Sequence, residues 1–146
     1  GADNAAADWL PEWKEMLGGV FSHFGLPDGK VRKGEYTVKI ADPSNPITKG
    51  ISDFPIEDEL YYHMQTQPDL QPLATVEFEG KDWPIAWSRT HGKGKVFHLV
   101  FGHRDFGPGK DDPVRNPNMT TLIIQAVDWV AADKLKAVKP PKAASR

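Results

Sequence analysis

Val96-Phe97-His98-Leu99-Val100-Phe101-Gly102-His103 is the stretch on which the fold turns. Five of its first six residues are apolar, and they run together without alternation. A short run of this kind fits a β-strand covered on both faces, as in α/β layers, and the expectation is a strand at the centre of the sheet. Ligand sites in open α/β sheets gather outside the carboxyl ends of such strands, so Gly102-His103 is where chemistry is first sought. Gly102 lets the backbone approach a ligand closely, and the His103 imidazole can serve as acid, base, hydrogen-bond partner or metal ligand. A purely structural His103 has equal weight at this stage.

Working upstream, Gly92-Lys93-Gly94-Lys95 reads as a hairpin tip, because it lacks the spacing of a phosphate-binding loop. Leu70 to Phe78 and Pro84 to Arg89 read as hairpin partners around Gly80-Lys81-Asp82. Glu35 to Ile40 alternates with period two, as a strand with one buried face does, after a polar loop from Gly25 to Gly34. Ile47 to Ile51 suggests one helical turn, and Ile56 to His63 a loop leading into a strand. Trp9 to Leu17 forms an amphipathic helix capped by Asp8, in which Trp9, Trp13, Met16 and Leu17 share a face and Gly18-Gly19 makes the stop. Downstream, a loop from Phe106 to Pro117 leads to a helix over Met119 to Ala132. Asn116 or Asn118 can cap it, and Leu122, Ile123, Ala126, Val127, Trp129 and Val130 form its apolar stripe. Residues 134–146, basic and containing Pro140-Pro141, read as a flexible tail.

Composition narrows the function classes. The 146 residues suit one domain with its own core. Lys and Arg number 18 against 20 Asp and Glu, and the net charge of -2 gives no electrostatic basis for a nucleic-acid or membrane partner. With no Cys there is no disulfide framework, thiolate zinc site or cysteine nucleophile. Membrane-span and signal-peptide patterns are absent from the sequence, so a water-soluble chain is expected. The compartment stays open between bacterial cytoplasm and a secreted or periplasmic location after signal removal.

Glu57-Asp58-Glu59 puts three carboxylates in a row. Glu57 and Asp58 read as a solvated acidic turn, whereas Glu59 and Tyr61, offset by two in an extended segment, point to one side as an acid/base beside an aromatic platform. His23, between Phe21 and Phe24, is either a core histidine or a third polar group converging with Glu59 and His103. Those three side chains would suffice for zinc or a similar divalent metal with open positions, although no compact ligand motif is present. Arg89, Arg104 and Arg115 can hold an anionic or polyhydroxyl ligand or pair with surface acids. Trp83 and Trp87, offset by four on one strand face, suit either sugar stacking or the core.

Several of these pieces fall in a recognisable order. They are Glu12-Trp13 to Leu17-Gly18-Gly19 with Phe21 and His23, Asn45-Pro46-Ile47-Thr48-Lys49-Gly50-Ile51, and Asp58-Glu59-Leu60-Tyr61-Tyr62. Pro84-Ile85-Ala86-Trp87-Ser88-Arg89, Gly92 to Phe97, Gly102-His103 and Ala126 to Ala132 continue it. The chain resembles the ThuA-like (trehalose utilisation) family of the class I glutamine amidotransferase-like superfamily over residues 9–133, and residues 1–133 are taken as a partial ThuA-like domain.

The resemblance implies a three-layer α/β/α flavodoxin-like sandwich lacking its N-terminal βαβ part, and a role in carbohydrate metabolism on a disaccharide or keto-sugar derivative. It also implies a polar cluster of His23, Glu59, Tyr61 and His103, with Arg89 beside it. In that reading His103 and Glu59 carry acid-base chemistry, and Tyr61, His23, Arg89 and Trp87 bind a small sugar. The competing reading is a non-catalytic sugar-binding or assembly module. The missing layer would be supplied by an N-terminal segment, a partner chain or a second copy.

Overall fold

The computed structural model describes residues 11–21, 29–103 and 112–135. Helix α1 (Pro11–Leu17) leads into the short β1 (Gly19–Val20). Strands β2 (Lys30–Ile40), β3 (Phe54–Tyr62), β4 (Gln65–Thr66), β5 (Pro72–Phe78), β6 (Lys81–His91) and β7 (Gly94–Leu99) follow. A 3-10 turn (Pro113–Arg115) then precedes helix α2 (Pro117–Leu135). No helix among the described residues is long and apolar enough to cross a membrane.

Five strands make one curled sheet in the order β3-β2-β5-β6-β7, and β1 pairs separately with β4. Every described pairing is antiparallel. The chain is thus α/β with an antiparallel sheet and two helices, and the parallel strands of a doubly wound sheet are not among the described residues. The β2–β3 ladder runs from Lys30 opposite Tyr62 to Val38 opposite Phe54, so Lys30 to Gly34, expected in a loop, extend β2. Tyr36 and Val38 turn inward to meet Phe54, Ile56, Leu60 and Tyr62 of β3, Val76 of β5, and Met119, Leu122 and Ala126 of α2. That shared apolar burial is the main stabilising term of the domain.

Further sequence expectations change. Strand β7 is not central but lies at a sheet edge, with β6 as its one neighbour. Its apolar run is explained by helices on its two faces. Phe97 and Leu99, like Ile123 and Trp129 of α2, pack against the main core, while His98 stacks on Trp87, whose indole reaches α1. Ile56 to Tyr62 is fully strand, with every second residue buried. Residues 46–50 form successive turns closed by Thr48 N–H to Asn45 O and Ile51 N–H to Thr48 O, rather than a helical turn.

Of the two expected caps it is Asn116 that serves, and α2 starts at Pro117 rather than Met119: Asn116 Oδ1 accepts from the N–H groups of Asn118 and Met119 at 3.0 and 3.4 Å. Its stripe is narrower than expected, because Val127 and Val130 are 60% and 41% exposed while Leu122 and Ala126 are buried. Residues Asp8, Trp9 and 136–146 lie outside the described residues.

Candidate functional site

Alternation along β3 builds the site. Phe54, Ile56, Asp58, Leu60 and Tyr62 face inward and are buried, so Glu57, Glu59 and Tyr61 face the other way. On that outer face the Tyr61 hydroxyl donates to Glu59 Oε2 at 3.1 Å. The same oxygen lies 3.3 Å from Nδ1 of His103, which arrives from beyond β7. Tyr61, Glu59 and His103 therefore form one connected cluster. The Glu59 and His103 side chains are 22% and 39% exposed, sheltered yet open to a ligand. Burial pushes the Tyr61 phenol above its ordinary value, and the hydrogen bond to the Glu59 carboxylate adds to that shift.

His103 is brought to Glu59 by its backbone. Gly102 takes φ +123°, a conformation that favours glycine. The N–H groups of Gly102 and His103 donate to the Asp58 carboxylate, at 2.7 Å to Oδ2 and 3.1 Å to Oδ1. Glu59 N–H adds a third bond to Oδ1 at 2.7 Å. Asp58 is 3% exposed, so its expected place on a solvated turn is wrong, whereas Glu57 is exposed as expected. Burial raises the Asp58 pKa, and the three backbone donors hold it down only in part. The signal that could have revealed Asp58 was its place in the inward series Phe54, Ile56, Leu60 and Tyr62.

The other expected site residues are placed differently. Trp87 is 1% exposed, donates its indole N–H to Leu17 O at 2.7 Å and stacks on His98 at 4.2 Å, so it fills the interior under α1. Trp83 packs with Tyr62 and the main core. The register shift near Pro84 to Ala86 gives β6 an extra residue against β5, which turns the two tryptophans to different faces instead of one. Arg89 stands opposite Val96, toward the β6–β7 turn and away from the end of β7 that leads to His103. It lines a cavity of about 270 Å³ with Asp69, Gln71 and Ser88, sharing no lining residue with the Glu59 cluster. Arg115 is exposed, with Nε 3.9 Å from Asp112.

His23 and Arg104 lie outside the described residues. The Phe21 ring meets Tyr61 edge-on at 5.0 Å. No group of three His, Asp or Glu side chains able to hold a metal occurs among the described residues. Of the three donors expected for a metal, Glu59 and His103 meet.

Comparison with known proteins bears on the fold and family. A solved ThuA-like protein from Parabacteroides merdae superposes with a TM-score of 0.75 at 22% identity, over 97% of this chain and 61% of that one. This chain therefore spans about three fifths of that protein's length. No curated protein matches the sequence. The family model ThuA, described as trehalose utilisation, matches residues 1–130. Carbohydrate metabolism is the general setting that this description gives. The match covers most of the sequence, and the chain belongs to the ThuA (trehalose utilisation) family.

Proposed function

We propose that this chain carries an acid-base site acting on a disaccharide or keto-sugar derivative, with His103 as the proton-transfer group and Glu59 as its partner. The observation that carries the reading is the 3.3 Å approach of His103 Nδ1 to Glu59 Oε2 from segments far apart in sequence. A carboxylate beside Nδ1 favours the tautomer with its proton on that nitrogen, and Nε2 is then the basic nitrogen. From there Nε2 takes a proton from a carbon beside a carbonyl, or from a sugar hydroxyl, and returns it to the product. Tyr61 shares Oε2 and fixes the carboxylate rotamer, so the other carboxylate oxygen is available to a sugar hydroxyl. In this reading Trp87 and Arg89 belong to the scaffold under α1, and His23 is a further contact to the sugar.

The family setting and the polar character of the cluster support a sugar over an apolar substrate. The helices on the two faces of β7 support the three-layer arrangement, with α1 and α2 as parts of the outer layers. The test assays purified protein against mono-, di- and keto-saccharides, with product analysis and calorimetry side by side. Turnover by wild type, lost in His103→Gln, is the expected result. Full turnover in that variant removes the proposal, and binding without any turnover returns the chain to a sugar-binding module.

A further inference from the structure

Asp58 is a buried carboxylate that the acid-base reading does not use. Moving such a group out of water is costly unless it is well bonded. No Lys or Arg is ion-paired with Asp58 among the described residues. Its compensation comes from backbone N–H donors, and two of the three belong to Gly102 and His103. Those bonds join β3, at one edge of the five-stranded sheet, to the segment that follows β7, at the other edge. Val100 N–H still donates to Ile85 O at 2.8 Å, after which the chain turns away from the β7 edge and Phe101 is buried against the Tyr36 ring of β2. Beyond that point the Asp58 carboxylate takes two successive N–H groups, one on each oxygen.

We propose that Asp58 is the positioning residue of the site, its carboxylate latching the Gly102–His103 backbone onto β3 so that the His103 ring meets Glu59. Adjacent residues on one strand divide the work: Asp58, facing inward, holds the backbone of His103, and Glu59, facing outward, holds its ring. The latch needs two acceptor oxygens. An asparagine has nearly the same shape but turns one of them into an N–H2 donor facing a backbone donor. The inference rests on the proposed function for its catalytic consequence, but not for the latch itself.

The experiment compares wild type, Asp58→Asn and Ile56→Val by amide hydrogen exchange and, with the sugar substrate, by steady-state kinetics. Ile56 is an inward neighbour on β3 whose shortening weakens the same strand without touching the latch. In Asp58→Asn, exchange at Gly102 and His103 is expected to accelerate roughly tenfold or more relative to the other core amides, and kcat to fall with KM little changed. Ile56→Val should show neither selective effect. Should Asp58→Asn fail to fold, scalar couplings across the hydrogen bonds from the Gly102 and His103 amides to the Asp58 carboxyl carbon are read in wild type. Their presence supports the latch and their absence overturns it. Unchanged exchange at both amides also overturns it, and faster exchange with undiminished kcat overturns the positioning role. Full activity in His103→Gln sinks the acid-base reading alone, leaving the latch to be judged by exchange and coupling.

Discussion

Glu59 and His103 belong to opposite edges of the five-stranded sheet, one on β3 and the other just beyond β7, yet His103 Nδ1 lies 3.3 Å from Glu59 Oε2. A flat sheet would keep its edge strands four strand spacings apart, on the order of 19 Å. The residues that follow β7 cover that distance: Phe101 packs on Tyr36 of β2, and the Gly102 and His103 N–H groups then reach the Asp58 carboxylate on β3. The pairing of the two side chains is thus a property of the tertiary fold.

Two groups that act as a unit give non-additive losses. In the proposed reaction, His103→Gln and Glu59→Gln are each expected to lower kcat/KM by roughly 100-fold or more, the contribution typical of positioned acid-base catalysis. The double variant should be little worse than His103→Gln alone. Kinetics on the four proteins of the cycle decide it, and multiplying losses would show that the two side chains work independently.

Trp87 offers a contrast, because the structure uses it as a tether. Its indole N–H bonds to Leu17 O at the end of α1, and its ring packs so close to Gly19 that a Cβ there would meet it at 3.0 Å. Trp87→Phe should lower stability by about 1 kcal/mol or somewhat more, the range for losing a hydrogen bond to a half-buried carbonyl. Sugar affinity, if α1 serves only as scaffold, should stay within twofold. Denaturant melts and calorimetry on the same preparation separate the two effects.

The alkaline limit of stability is set in part by Tyr61. Burial and the neighbouring Glu59 carboxylate raise its pKa, so the folded state keeps the phenolic proton longer than the unfolded chain does. Such a group leaves stability intact below its ordinary value of about 10 and withdraws it as pH rises through the folded value. Tyr61→Phe should therefore lose less stability than wild type above about pH 10. Tyr36, shifted the same way by burial, keeps the loss from vanishing. Thermal midpoints across that range, followed alongside tyrosinate absorbance, test the assignment; parallel curves for the two proteins would exclude it.

Much of this arrangement is legible in the sequence where the physics is local. The alternation of Glu35 to Ile40, the glycine stop after Leu17 and the cap at Asn116 depend on residues a few positions apart, and each is found in place. The apolar run at Val96 is half-buried rather than sealed on both faces. It says nothing of how many strands lie alongside, so the central position does not follow. Asp58 misleads for a related reason: its charge suggests solvent, and the Gly102 and His103 donors that make burial tolerable come from far along the chain. The same holds for Trp83 and Trp87, whose common face is undone by an extra residue that only the pairing with β5 reveals.

Helix α2 tests how finely burial can be read from a stripe. The sequence puts Leu122 and Val127 in one apolar band, but Leu122 is fully buried against the sheet and Val127 is 60% exposed. If the domain is held together by the inward side of this helix, the two positions should respond very differently. Leu122→Ala removes buried methyl groups and leaves a cavity beside Met119 and Ala126, which costs about 2–5 kcal/mol. Val127→Ser exchanges a side chain already in water and should stay within about 0.5 kcal/mol of wild type. Equilibrium denaturation of both variants is the measurement. A loss of several kcal/mol for Val127→Ser would mean that its face of α2 is covered in solution, since replacing the two methyl groups of an already hydrated valine by a hydroxyl has no other route to so large an effect.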